Sequence, residues 1–405
     1  MNKSKIKVGI YGIALLMMGV IGISGALAVI GANFPDASQT MIQNMISIPC
    51  LVVIPVTLVV GKMMDVMSKK NIAIIGILAF LVGGVGPAFV TSLPVILVLR
   101  GVLGVGVGIV QPVASALVAE NFEGPERDKV QGNVTSAQML GCAVMVFAGG
   151  WLANMSWEKV FYVHLLAVIA LVVVLACLPN VKPEKHDAKT SDAPTDSSTT
   201  IELEGVSESA QKGGLNVQSW IWALTMFLLF VAGQVYSVYL SYIVDEKALG
   251  TSAQSGNAMA FFAIGGFLIG LVFGKLSEKA RNLTLTIGMV GMVIAYLVIA
   301  FASSMISIYL GAFLFGVSLS ICMPCIIVGT AGSVSLAASG MAISITMCGQ
   351  NLGQFVCPYI FNPLTASMAA DGNTNQMAFL LGAAMIAVMA VIALIWGIKE
   401  NRKDA

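Results

Sequence analysis

Runs of apolar residues without one charged side chain recur along the whole chain, one of them reaching from Asn282 to Ala370. Turn-forming residues and short charged breaks cut these runs into pieces. Each piece has about the 17–25 residues a helix needs to cross a hydrocarbon layer. Lipid offers no water to backbone N–H and C=O groups, so only helices and closed β-barrels span it. Alternating ten-residue segments, the barrel signature, are absent. Composition agrees: 10% of residues are charged, against roughly 25% in soluble domains. The pattern predicts an all-α polytopic membrane protein.

Breaks in the apolar pattern predict twelve spans, the first over Val8–Ile30. An even number puts both termini on one side, and positive residues concentrate in cytoplasmic segments. With the N-terminus inside, all but Arg100, Lys159 and Lys247 of the 21 Lys and Arg residues fall on that side. The expected location is therefore the plasma membrane, with both termini cytoplasmic. All five tryptophans fall at span ends, where amphipathic rings favour the headgroup layer. The N-terminal run is too long for a cleaved signal and reads as the first span.

Between residues 179 and 217 the sequence turns Ser-, Thr- and Asp-rich, too polar to bury a core of its own. It divides the chain into a six-span bundle (1–178), a disordered cytoplasmic linker (179–217), a second six-span bundle (218–398) and a short tail (399–405). The halves repeat. "GKMMDVMSKK" at Gly61–Lys70 is echoed by "GKLSEKAR" at Gly274–Arg281. Nearly the same interval separates Gly104 from Gly316 and Pro112 from Pro324, and a similar one separates Gly141 from Gly349. Parallel six-helix repeats place a binding site near the bilayer midplane and rock about it.

These features together resemble the major facilitator superfamily, and within it the twelve-helix branch that exports drugs and organic solutes. The loop motif of that family matches at Gly61, Asp65, Lys69 and Lys70 and departs at Val66 and Ser68. "LVLRGVLGVGVGIVQP" (Leu97–Pro112) is similar to its fourth-helix motif, and "SWEKVFYV" (Ser156–Val163) to its approach to the sixth span. "GCAVMVFAGG" (Gly141–Gly150) resembles the efflux branch's fifth-helix motif, with Met145 and Val146 in place of the central Gly-Pro. The resemblance implies a cytoplasmic gate of Gly61, Asp65, Lys69 and Lys70, with Gly274 and Glu278 as counterparts. It would latch the two halves when the cavity faces outward.

Arg100 lies inside the fourth span, where a charge is costly and marks function. It shares a helical face with Gly104, Gly108, Gln111 and Ser115, and the aligned residue in the second half is Ala312. An arginine of purely architectural purpose would be expected in both halves, so Arg100 is expected to face a wet cavity. His164, on span 6, reads either as a packed histidine capped by a carbonyl or as a candidate proton carrier. Polar residues also recur at helical spacing on span 5 (Gln138), span 7 (Gln234, with Tyr236 and Tyr239 beside it) and span 11 (Gln350, Gln354). With Arg100 and Gln111 these are the expected substrate contacts, although the same stripes could also glue helices together.

The expected activity is secondary active transport of a small organic solute by alternating access. Such a cavity, without a carboxylate, favours neutral or anionic solutes. Export of an amphipathic compound is favoured, and uptake of an organic anion, by proton symport or exchange, is the alternative. Outside transport, a receptor that binds without moving solute stays open. Two histidines and no intramembrane acid give an enzyme no nucleophile–base pair to use. No phosphate-binding loop, metal site, cofactor or nucleic-acid partner is expected. The expected partners are a small-molecule substrate, a candidate coupling proton and the bilayer, around a monomer.

Overall fold

The computed structural model describes residues 3–64, 66–180, 215–270, 283–368 and 373–401. Most of the polar linker thus lies outside the described residues. Twelve helical spans follow one another. In the first bundle, span 1 covers residues 3–32, span 2 Gln39–Met63, span 3 Lys69–Val85 and span 4 Leu93–Asn121. Span 5 is Gly124–Ala153, and span 6 joins a 3₁₀ segment, Glu158–Leu165, to a helix, Leu166–Cys177. The second bundle comprises spans 7 (Val217–Glu246), 8 (Ser252–Gly270), 9 (Thr284–Ala300), 10 (Met305–Gly332), 11 (Leu336–Met368) and 12 (Thr374–Asn401).

Among the described residues, nine of these are long and apolar enough to cross a membrane on those grounds alone. The other three have evident reasons to fall short. Span 8 runs up against residues outside the description, span 9 is short, and span 11 is diluted by Thr346, Gln350, Asn351, Gln354 and Asn362.

The two bundles repeat each other's packing. Span 4 lies against spans 2 and 3 as span 10 lies against spans 8 and 9; span 1 lies against spans 5 and 6 as span 7 lies against spans 11 and 12. The contacts between bundles obey the same exchange, span 5 meeting span 8 and span 2 meeting span 11. The glycines aligned in the sequence do equivalent work. A Cβ on Gly104 would stand 2.6 Å from the Pro49 carbonyl of span 2, and one on Gly316 2.0 Å from the Phe262 carbonyl of span 8. At both places one backbone lies directly on another, as small residues allow in lipid.

Span 1 departs from the continuous helix expected of it. It is α-helical over Lys3–Ala14, 3₁₀ over Gly19–Ala26 and α-helical again over Leu27–Ala32. Glycines at positions 19, 22 and 25 withdraw side-chain support from that stretch. A 3₁₀ winding also bonds its backbone less well than an α-helix, so its carbonyls are open to other donors. Span 2 adds another, because Pro49 lies inside the helix and has no N–H to give the carbonyl of Met45.

At the end that bears the termini, Lys3 and Lys7 hold Glu126 at 3.1 and 2.8 Å. Chiefly the bond from Lys7, then that from Lys3, keeps the Glu126 carboxyl below the usual glutamate range. This anchors the start of span 1 to the start of span 5.

Gly316→Ala tests the repeated close approach. Overpacking of this kind costs about 1–3 kcal/mol, and the melting temperature of the purified protein should fall. An unchanged melting temperature would mean that spans 8 and 10 do not touch as described.

Candidate functional site

Arg100 is fully buried, and its donors go to protein. Nε donates to the Met45 carbonyl at 2.6 Å and NH2 to the Val20 carbonyl at 2.8 Å. NH1 lies 3.2 Å from Nε2 of His164. A guanidinium can only donate, so in this contact Nε2 accepts and Nδ1 carries the ring proton toward the Phe161 carbonyl, 3.0 Å away; in the other tautomer Nε2 would donate to the Gly19 carbonyl, 3.3 Å away. Arg100 therefore serves the carbonyl orphaned by Pro49 and one from the unwound part of span 1. It ties spans 1, 2, 4 and 6 together in dry packing.

The expectation of a guanidinium facing water is corrected accordingly. The reason is physical: the Met45 carbonyl, which Pro49 cannot serve, and a carbonyl of the 3₁₀ stretch attract the strongest fixed donor within reach. His164 is likewise fully buried, and Phe80 packs against its ring. A proton arriving at Nε2 would meet the guanidinium, so the geometry matches the packed, carbonyl-capped histidine and not the proton carrier.

Tyr236 is also placed elsewhere than expected. It is buried in the core of the second bundle, its ring stacked on Phe315 at 4.5 Å and its hydroxyl donating to the Ala258 carbonyl at 3.1 Å. Gln234 is 4% exposed, and its Nε2 has no hydrogen-bond partner. The remaining glutamines lie in the middle third of their helices and are partly exposed. Gln111 donates to the Met17 carbonyl at 3.4 Å, Gln354 accepts from the Cys50 thiol at 3.0 Å, and Gln350 Oε1 makes no bond.

The hydrogen bonds that join the two bundles cluster in the half of the molecule away from the termini. Cys50–Gln354 is the innermost rung. Next, Asn44 Nδ2 donates to the Tyr359 hydroxyl at 2.9 Å. Asn362 then acts as a hub: it donates to Thr40 Oγ1 at 2.7 Å and Gln43 Oε1 at 2.8 Å and accepts from Tyr239 at 2.5 Å. Outermost, Gln39 donates to Asn375, which donates in turn to Glu246. Glycines complete the closure, since a Cβ on Gly25 or Gly150 would stand 2.9 or 2.8 Å from the Cα of Gly256.

Thr40, Gln43, Asn44, Ser47 and Cys50 form this face of span 2, a stripe absent from the sequence-based site. Its three- and four-residue spacing was the available signal. Tyr239, expected to touch substrate, belongs to this seal.

The terminus side differs. Gly61 has open space around its Cα, as do Gly132, Gly332 and Gly340. Lys69 pairs with Glu120 at 2.6 Å and Lys70 donates to the Leu175 carbonyl at 2.8 Å, both within the first bundle. The expected latch is not engaged through these two lysines. Asp65, Gly274 and Glu278, the rest of that motif, lie outside the described residues.

Two repeated helical bundles meeting along a polar seam, closed at one end, define a membrane transport protein. The sequence profile of the Major Facilitator Superfamily matches residues 9–358 and 222–405. The chain belongs to that family. It is 24% identical to the uncharacterized MFS-type transporter YceJ of Bacillus subtilis (strain 168) over 331 residues, covering 78% of this chain and 79% of YceJ. It is 26% identical to the multidrug transporter protein MdtP of the same organism over 119 residues, which is 29% of this chain but only 22% of MdtP. A crystal structure of a mutant of the nucleoside transporter NupG superposes with a TM-score of 0.76 at 13% identity, covering 96% of this chain and 99% of that one. That likeness is one of fold.

Arg100→Leu should unpair both carbonyls and the His164 ring. An unsatisfied buried polar group costs about 1–3 kcal/mol, so the melting temperature should drop by several degrees even without ligand. Arg100→Lys should restore only part of it, because one ammonium cannot reproduce the guanidinium fork. Full stability in both variants would refute the clamp.

Proposed function

We propose that this protein exports a small amphipathic organic solute, neutral or anionic, across the plasma membrane by alternating access. One observation carries the reading: among the described residues, the side-chain hydrogen bonds that join the bundles lie toward the end away from the termini. With the termini cytoplasmic, the side that the distribution of Lys and Arg favours, the seal lies outside and the less bonded end of the seam faces the cytoplasm. The protein is then poised to load from within.

The seal consists almost wholly of neutral side chains, each rung an individually modest bond. Such a seal can open and reform without separating buried ion pairs. Support for export comes from the partial likeness to MdtP and from the glycines of the fifth-helix motif. There Gly149 would place a Cβ 2.5 Å from the Gly22 carbonyl, and Gly150 packs on span 8. Uptake of an organic anion drew its support from an accessible Arg100 and loses that support with the guanidinium bound to carbonyls.

Purified protein in proteoliposomes, sorted by orientation, tests direction. Neutral fluorescent amphiphiles should accumulate in inside-out vesicles faster than in protein-free controls, with anionic ones run alongside to find which class is carried. Accumulation confined to right-side-out vesicles, or none in either, would overturn the proposal.

A further inference from the structure

The side chains left to meet a solute in the seam point to its chemical class. Gln111, Gln138, Gln350 and Gln354 come from both bundles and lie partly exposed at mid-depth. Gln350 is one turn from Gln354 on the same face of span 11, and Gln354 itself reaches Cys50 of the opposite bundle. Gln111 is one turn from Gly108, which packs on Val53 and Val56 of span 2, a turn beyond Cys50. The amides of spans 4 and 11 thus stand on the two sides of one stretch of span 2. A primary amide both donates and accepts, and here Gln350 Oε1, a buried atom, has no partner in the protein.

No charge balances this region. No Asp or Glu lies in the middle of any span, and the one intramembrane cation, Arg100, spends its donors on Met45, Val20 and His164. A cation entering would lose its hydration and gain no counter-charge, and an anion could make no direct pair with the fully buried Arg100, a costly outcome for an ion in a low-dielectric site. A neutral solute that offers both donors and acceptors replaces its water bonds one for one.

We infer that the partly exposed mid-span glutamines Gln111, Gln138, Gln350 and Gln354 select uncharged solutes bearing amide- or hydroxyl-type groups and reject their carboxylate and amine counterparts. This rests on the transport reading for its setting and narrows it from neutral or anionic compounds to neutral ones.

The test uses the full chain in lipid nanodiscs and matched solute sets that share a skeleton and differ in one group: primary amide, carboxylate or primary amine. Binding is read as concentration-dependent thermal stabilisation. Amide members should stabilise the protein and carboxylate members should not. Gln138→Leu and Gln350→Leu should each weaken amide binding about tenfold, the loss of one good hydrogen bond. Gln350→Glu should gain binding of the amine member, a change of preference that loss of packing alone would not produce.

The inference is overturned if carboxylates bind the wild type as well as amides do, if no amide member binds, or if the leucine variants bind undiminished. Selective amide binding without flux would sink the transport reading alone. Flux of anions through the wild type would sink this inference alone.

Discussion

Every carbonyl placed in hydrocarbon needs a donor, and in the first bundle one side chain supplies two of those donors. Span 1 unwinds around its glycines, and span 2 carries a proline where an N–H should be. Arg100 answers both, with His164 holding its third edge. The guanidinium is therefore a joint between four helices, and the first bundle can turn as one body because of it. The close contacts of Gly104 on Pro49 and of Gly141 on Leu15 set the helices at the distance from which Arg100 can reach.

The second bundle repeats the packing but not the repair. Span 7 is a continuous helix and span 8 contains no proline; the helix-interior prolines of the second bundle, Pro324, Pro358 and Pro363, lie on spans 10 and 11 instead. Ala312 at the aligned position is simply buried. Tyr296 serves this bundle in a smaller way, its hydroxyl donating to the Ala232 carbonyl at 2.7 Å. Asymmetry between the halves thus follows from two defects, the broken span 1 and Pro49 of span 2, that spans 7 and 8 do not share. Function enters where the halves meet, along neutral contacts that are weak singly and cooperative together.

Much of this was legible in residue order. Apolar run length and the placement of Lys and Arg gave twelve spans in two bundles, and the aligned glycines at 104 and 316 marked equivalent crossings. The role of Arg100 was not legible. Its absence from the second half reads as a sign of substrate binding until one sees that the broken span 1 and Pro49 are absent there too. Helical periodicity cannot show which carbonyls lack partners. Nor does it tell a polar stripe that seals from one that lines a path: Tyr239 and the span 2 face seal, Tyr236 is core, and the partly exposed glutamines are the ones proposed to meet a solute.

Alternating access requires the two ends of the seam to move in opposition. Distances between spin labels at Asp36 and Thr251, on the sealed side, and at Val66 and Gly332, on the terminus side, measure this directly in a bilayer. The wild type should give a short first distance and a long second one, and Asn362→Ala, which removes the hub of the seal, should lengthen the first while shortening the second. Two distances that stay fixed, or that lengthen together, would contradict it.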